Sequence, residues 1–234
     1  MQSVKDVIES HEGKAVFFHR HGTYLMNPQG DNPEDPDLLT AMNYAREYPD
    51  HNNPLDQNGR DISVNQGQLL AELGIKINKI LVSRQGRGPE TGLYIAIGLL
   101  NSSDKMPSIE HSLGADYPLY SSAKDVLKAM GEFGDDYPSH WLNGKIPELC
   151  RESSKDFAGR IINAVNKAFS ENNITLIASH YENVLYARSR WVAKKDLGSV
   201  PLDWQPTKSA GILLVKKRSE IMGFEYDQNF QIIE

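Results

Sequence analysis

The chain has 234 residues and a formal net charge of −6, with 39% hydrophobic and 24% charged residues. This composition is typical of a globular protein with room for one substantial domain. The negative charge argues against binding of nucleic acid or an acidic membrane through a broad basic face, although it leaves room for a small cationic pocket.

The N-terminal segment and the cysteine content narrow the class of protein further. The first residues are charged throughout and lack the apolar stretch of a secretory signal. The sequence contains no run of about 20 apolar residues, the length that a membrane span needs. Cys150 is the only cysteine, so an intramolecular disulfide and a cysteine-based metal cluster are both excluded. We therefore expect a cytoplasmic protein in which Cys150 is a small buried side chain on a helix.

The first third of the chain predicts a strand, a loop and a helix. The apolar run AVFFH at residues 15–19 suits a strand that is buried on both faces. A loop rich in Pro, Asp and Asn follows. We expect the segment around residues 27–60 to form a lid over a substrate site. Ser63 can cap a helix through GQLLAEL, which Gly74 would end.

The remainder of the chain continues the alternation of strands and helices. KILVS at residues 79–83 predicts a second strand, and a helix starts near Pro89, since proline suits the first helical turn. Helical spacing predicts helices over residues 122–133 and 147–170. Apolar runs predict strands at residues 173–179 and 211–215, and an edge strand within residues 223–233. This order indicates a single α/β domain, a parallel or mixed sheet flanked by helices.

Histidine and arginine side chains follow three of the predicted strands. Because ligands of open α/β sheets bind beyond the carboxyl ends of the strands, these side chains are expected to meet in one crevice. The residues are His19, Arg20, His21, Ser83, Arg84, Arg87 and His180.

Two kinds of chemistry fit a histidine pair beside arginines. In the first, the His21 imidazole attacks phosphorus while arginine guanidinium groups hold the phosphoryl oxygens. In the second, His19 and His21 bind a metal ion, because a His-x-His pair on a strand points both side chains to one face. We favour the first, since a metal cation would not normally lie beside Arg20 and Arg87.

Four motifs, in order over residues 15–190, resemble those of the histidine phosphatase superfamily, which includes the phosphoglycerate mutases and fructose-2,6-bisphosphatase. Arg20-His21-Gly22 resembles its Arg-His-Gly signature, and Asn27 lies where the first motif commonly carries a phosphate-contacting asparagine. Ser83, Arg87 and Thr91 reproduce the spacing S-x-x-x-R-x-x-x-T of its second motif. The segment Glu110-His-Ser-Leu-Gly114 is similar to its Glu-x-x-x-Gly segment, and Ser179-His180 to its late Ser-His motif.

The resemblance implies a three-layer α/β/α sandwich with a mostly parallel sheet, like that of the phosphoglycerate mutases, and a substrate cap around residues 112–145. It implies a phosphomonoesterase that hydrolyses a small phosphorylated metabolite through phosphohistidine, with no metal or cofactor and no nucleic-acid or membrane partner. The catalytic residues would be His21, Glu110, His180, Arg20 and Arg87, with Asn27 as a further phosphate contact. Arg84 and Thr23 are added as substrate or phosphate contacts because of their positions beside these residues, and not from the resemblance.

Departures from the family pattern leave alternatives open. Thr23 replaces a glutamate that many relatives carry, and Tyr-Glu-Asn follows His180 in place of Gly-Gly. Glu182 is therefore a rival proton donor, because a second branch of the family carries its acid just after this histidine. Glu110 is preferred here since its surroundings match better. A phosphoglycerate-mutase-like phosphotransferase and a catalytically inactive phospho-ligand or protein-binding module are the alternative functions.

Overall fold

Seven strands form one sheet in the computed structural model, which describes residues 2–11, 13–21, 55–84, 87–100, 105–171, 174–202 and 210–233. The strands are β1 (Ala15–Arg20), β2 (Lys79–Val82), β3 (Ser108–His111), β4 (Thr175–Ser179), β5 (Gly211–Lys217), β6 (Glu220–Tyr226) and β7 (Ile232–Ile233). Their order across the sheet is β3-β2-β4-β1-β5-β6-β7.

Most of the strands run in one direction, as predicted. β1 to β4 are parallel to one another, and β5 runs antiparallel to β1. β6 returns to the direction of the parallel group, and β7 opposes it. Arg20 at the end of β1 lies opposite Ser179 at the end of β4. The residues that follow these two strands, His21 and His180, therefore emerge side by side at the carboxyl edge of the sheet.

Helices cover both faces of the sheet, which confirms the three-layer α/β/α architecture. They are α1 (Val4–Glu9), α2 (Gln57–Glu72), α3 (Arg87–Leu100), α4 (Ala123–Phe133), α5 (Tyr137–Leu142), α6 (Ser154–Ser170) and α7 (Tyr181–Ala187). α1 to α3 pack on the face that contains Phe17, and α4 to α7 on the face that contains Phe18. Alternate residues of β1 thus enter two separate hydrophobic cores, as the strand period of two requires. No helix among the described segments is long and apolar enough to span a membrane.

Two glycines allow α2 and α3 to pack with their backbones in contact. A Cβ atom added at Gly67 would lie 2.1 Å from the carbonyl oxygen of Ile95. One added at Gly98 would lie 2.1 Å from the carbonyl oxygen of Val64. Only a residue without a side chain fits at either position, and this close packing fixes α3 against the sheet.

Three sequence predictions about helices are corrected by the structure. α2 begins earlier than predicted, because Asp56 is its N-cap and accepts a hydrogen bond from the backbone N–H of Gly59 at 2.6 Å. Ser63 lies inside the helix, where its hydroxyl donates to the carbonyl oxygen of Gly59. The helix predicted over residues 147–170 begins only at Ser154, as α6. Cys150 is buried as expected, but it lies in an extended segment between a 3₁₀ turn (Pro147–Leu149) and α6, where its backbone pairs with that of Tyr120.

The sheet edges also differ in part from expectation. β3 was not predicted, because its four residues are all exposed and lack a buried apolar pattern. The range 223–233, predicted to hold one edge strand, contains the end of β6, a turn and the short edge strand β7. Most of the predicted lid, residues 27–54, lies outside the described part of the chain, and residues 57–60 are the first turn of α2.

Candidate active site

Two histidines lie together at the carboxyl edge of the sheet, as the sequence predicts. The backbone N–H of His21 donates to the carbonyl oxygen of Ser179 at 3.1 Å. The rings of His21 and His180 have centroids 5.4 Å apart, and the two residues are 3% and 1% exposed. Because the hydrogen bonding of β1 and β4 sets both backbones, the sheet itself fixes the distance between the imidazoles.

His180 is held in a neutral state. Its Nε2 lies 2.9 Å from the hydroxyl oxygen of Ser83, and the ring of Tyr117 meets its ring edge to face with centroids 5.0 Å apart. Burial lowers the pKa of His180 well below its usual value, and the positive charges of Arg87 and Arg20 lower it further. The imidazole is therefore uncharged near neutral pH.

The start of α3 approaches the histidines very closely. Arg87 is the first residue of the helix, and the hydroxyl of Thr91 donates to its carbonyl oxygen at 2.7 Å. A Cβ atom at Gly88 would lie 2.0 Å from the hydroxyl oxygen of Ser83, the partner of His180. Glycine therefore lets the positive end of the helix dipole reach this edge of the sheet, an environment that favours an anion.

Arg20 brings a second guanidinium group to the same edge. It is the last residue of β1, and its backbone N–H donates to the carbonyl oxygen of Ala210 at 3.0 Å. Its guanidinium carbon lies 5.4 Å from the centroid of the Tyr181 ring. The structure thus brings together four residues of the predicted site, namely His21, His180, Arg20 and Arg87.

Arg84, predicted as an additional phosphate contact, is engaged by a carboxylate. Its backbone N–H and its Nε donate to the two oxygens of Asp116 at 2.8 and 2.9 Å. The Asp116 side chain is only 4% exposed, whereas that of Arg84 is 60% exposed. The charge of Arg84 is therefore balanced by Asp116.

Two side-chain donors hold the loop that carries Tyr117. The amide nitrogen of Asn183 donates to the carbonyl oxygens of Gly114 and Asp116 at 2.9 and 3.0 Å. The guanidinium group of Arg160 donates to the carbonyl oxygens of Asp116 and Tyr117 at 2.9 and 3.0 Å. The loop backbone is thereby fixed, and with it the contact between Tyr117 and His180. Sequence patterns gave no signal for this support.

Glu110, the preferred proton donor in the sequence analysis, lies apart from the histidines. Its carboxylate pairs with Nζ of Lys79 at 3.3 Å, and the same Nζ lies 2.7 Å from Glu171 at the end of α6. Glu110 lies on the edge strand β3, opposite Leu81, and β2 separates β3 from β4, the strand that leads to His180. Glu110 thus interacts with the amino end of β2, and this geometry speaks against its use as the acid.

Glu182, the rival acid, lies in the first turn of α7 directly after His180. It is 8% exposed and accepts a hydrogen bond from the hydroxyl of Tyr120 at 2.5 Å. The hydroxyl of Tyr137 lies 3.4 Å from that of Tyr120. Burial and the charge of Glu182 together raise the pKa of Tyr120 well above its usual value. Tyr120 therefore keeps its proton and remains a donor to the carboxylate.

The two further predicted contacts, Thr23 and Asn27, lie outside the described residues. His19, considered as a metal ligand with His21, uses both ring nitrogens elsewhere. Its Nδ1 lies 3.0 Å from the hydroxyl of Tyr226, and its Nε2 lies 3.0 Å from Oε1 of Gln66. Within the described ranges, no three histidine, cysteine or acidic side chains lie close enough together to bind a metal ion.

Comparison with known proteins places the chain by its fold. No protein-family model matches the sequence, and a search of curated proteins finds no relative. The chain superimposes on the phosphoglycerate mutase of Bacillus anthracis str. Sterne with a TM-score of 0.63 and 14% identity, over 93% of this chain and 94% of the mutase.

Two phosphatases give similar results. For the alpha-ribazole phosphatase of Shigella flexneri the TM-score is 0.59 at 14% identity, over 94% of this chain and 99% of that one. For a mycobacterial glucosyl-3-phosphoglycerate phosphatase it is 0.58 at 11% identity, over 94% and 95%. The chain therefore has the fold of the phosphoglycerate mutases and histidine phosphatases that its motifs resemble.

Proposed function

We propose that the protein is a phosphomonoesterase that hydrolyses a small phosphorylated metabolite through a phosphohistidine intermediate on His21. The observation that carries this proposal is the meeting of His21, His180, Arg20 and Arg87 at one edge of the sheet. Structural neighbours with the same fold include phosphatases, which supports the same class of chemistry.

In the first step, an imidazole nitrogen of His21 attacks phosphorus in line with the leaving oxygen. The nitrogen–phosphorus bond forms as the ester phosphorus–oxygen bond breaks. Arg20 and Arg87 bind the non-bridging oxygens, since planar guanidinium groups match phosphate and stay charged at any working pH. The neutral His180 donates a hydrogen bond to the phosphoryl group as well. These fixed donors stabilise the charge that develops in the transition state.

We assign proton transfer to Glu182 in place of Glu110. Protonated Glu182 gives its proton to the leaving oxygen, so the alcohol departs uncharged. The resulting carboxylate then removes a proton from the water that attacks the phosphohistidine, which releases inorganic phosphate and restores His21. Tyr120 orients the carboxylate through its short hydrogen bond and takes no part in the transfer.

The test is release of phosphate from p-nitrophenyl phosphate without added metal, in the wild type and in the variant His21→Ala. We expect the substitution to lower kcat by about 10³-fold or more, and we expect acid-labile phosphohistidine to be trapped on the wild type alone. His111→Ala is the matched control, because His111 is exposed on β3.

Other outcomes separate the alternatives. Phosphoryl transfer to an added alcohol that exceeds release to water would indicate a phosphotransferase of the mutase type. Absence of turnover, with phosphate still bound, would indicate the inactive binding module. Turnover that survives His21→Ala would overturn the phosphohistidine route.

A further inference from the structure

Four partly exposed tyrosines lie around the histidine pair, and we call them the aromatic wall. They are Tyr117, Tyr120, Tyr137 and Tyr181. Tyr117 contacts His180 and stacks on Tyr120 with centroids 5.9 Å apart. At the other end of the wall, Tyr181 lies against the guanidinium group of Arg20. Because both ends of the wall touch groups that would bind the phosphate, the alcohol of a bound ester would lie against these rings.

Carboxylates line the aromatic wall. Glu182 accepts the hydrogen bond from Tyr120. Burial raises the pKa of the Tyr181 hydroxyl, and the negative charges of Glu182, Asp136 and Asp135 raise it further, which places these carboxylates within electrostatic range of the ring. Glu182 is uncharged when the ester binds in the proposed mechanism, so the repulsion comes from Asp135 and Asp136, which directly precede Tyr137 of the wall. These two aspartates would repel an anionic leaving group on this side of the site.

Two arginines on the same side, Arg84 and Arg160, are paired with carboxylates. Arg84 lies 2.9 Å from Asp116, and Arg160 lies 2.8 Å from Glu152. A second phosphate on the substrate would need a further group of uncompensated cations. The described part of this region contains the tyrosine rings and the carboxylates of Asp135, Asp136 and Glu182.

We infer that the substrate is a small monophosphate ester whose alcohol carries a planar ring, uncharged or cationic, that packs on the aromatic wall. This inference rests on the proposed phosphatase activity and adds the chemical class of the leaving group. Aromatic rings prefer offset-stacked or edge-to-face contacts with other rings, so a planar group gains more here than a saturated ring of equal size.

The test compares esters whose alcohols differ in shape or charge but hardly in basicity. Benzyl phosphate and cyclohexylmethyl phosphate form the shape pair, and 4-carboxybenzyl and 4-aminomethylbenzyl phosphate form the charge pair. We expect kcat/KM for benzyl phosphate to exceed that for cyclohexylmethyl phosphate by about fivefold, the size of one aromatic contact. The aminomethyl ester should also be hydrolysed faster than the carboxy ester.

Variants of the wall link this preference to its residues. Tyr181→Leu and Tyr117→Leu should bring the benzyl to cyclohexylmethyl ratio close to one, whereas Tyr181→Phe, which keeps the ring, should preserve it. Tyr94→Leu, a change on α3 beside Arg60, is the control and should leave the ratio unchanged. Circular dichroism confirms that each variant is folded before its ratio is measured.

The results distinguish failure of this inference from failure of the proposed function. Equal kcat/KM for the two shape esters, or a faster reaction of the carboxy ester, overturns the inference while leaving the phosphatase intact. No turnover of any ester, p-nitrophenyl phosphate included, overturns the proposed function and this inference with it.

Discussion

At the residue scale, two glutamates differ sharply in surroundings. Glu182 is buried beside the histidine pair and accepts a hydrogen bond from Tyr120, whereas the Glu110 side chain is 46% exposed and pairs with Lys79. A proton donor must lie within hydrogen-bond reach of the leaving oxygen, so geometry decides between them before any question of acidity.

The matched pair Glu182→Gln and Glu110→Gln tests this assignment. Glu182→Gln should lower kcat for an alkyl phosphate by about 100-fold or more, with a smaller loss for p-nitrophenyl phosphate, whose leaving group needs no proton. Glu110→Gln should leave both rates within about twofold, since exposed ion pairs contribute little. A leaving-group dependence that changes only in Glu110→Gln would restore Glu110 as the acid.

The burial of His19 should make the stability of the fold depend on pH. His19 is fully buried, and burial lowers its pKa to about 4, although the hydrogen bond with Gln66 opposes the shift. In the unfolded chain a histidine takes up a proton near pH 6.5. As the pH falls from about 6.5 to about 4, the unfolded state therefore binds a proton that the folded state does not, and stability decreases.

We predict that His19 accounts for a loss of about 3 kcal/mol in unfolding free energy over this pH interval. Urea unfolding at pH 7 and pH 4.2 measures the change. His19→Gln should show a smaller loss between the two pH values, whatever its stability at pH 7. Equal losses in the wild type and the variant would mean that His19 is protonated without cost in the folded protein.

At the scale of elements, the contact between α2 and α3 determines how the start of α3 meets the sheet. Gly67 and Gly98 face the partner helix with no room for a methyl group. Gly159, on α6, has no atom within 4 Å of where its Cβ would lie. Identical substitutions at Gly98 and Gly159 therefore separate helix propensity from packing.

Gly98→Ala should lower the unfolding free energy by about 1–3 kcal/mol, because the added methyl group forces the two helices apart. Gly159→Ala should raise it by about 0.5–1 kcal/mol, because alanine favours the helix and nothing obstructs it. Denaturant unfolding of both variants measures the difference. Stabilisation by both substitutions would contradict the close backbone contact.

At the scale of the whole molecule, the protein is acidic overall but carries a cationic edge. The net charge is −6, yet Arg20, Arg87 and the start of α3 meet at one edge of the sheet. A tetrahedral oxyanion that binds there should stabilise the folded state, since the unfolded chain lacks the assembled site.

We predict that tungstate raises the melting temperature, and that at 100 times its Kd it adds about 2.7 kcal/mol to the unfolding free energy. Arg87→Gln should abolish the shift. Arg84→Gln should keep it, because Arg84 is bound to Asp116. A shift lost in Arg84→Gln alone would make that arginine the phosphate ligand. The measurement needs no turnover, so it also applies to an inactive protein.

The sequence by itself determined the strands β1, β2, β4 and β5, the two-sided burial of β1 and the gathering of His21, His180, Arg20 and Arg87. These features follow from local rules: apolar runs make buried strands, and the carboxyl ends of parallel strands share an edge. The resemblance of the motifs to a known family pointed to the same four residues, and the fold agrees with it.

Only the tertiary structure showed that Glu182 and Glu110 have different surroundings, and only it gave Arg84 its partner. Both glutamates follow or belong to strands of one parallel group, and a motif match cannot show which way a side chain turns. That direction depends on Lys79, Tyr120 and Asp116, which approach from other elements of the fold. Charges and hydrogen bonds between residues distant in sequence are settled only when the chain is packed, because their energies depend on distance and burial.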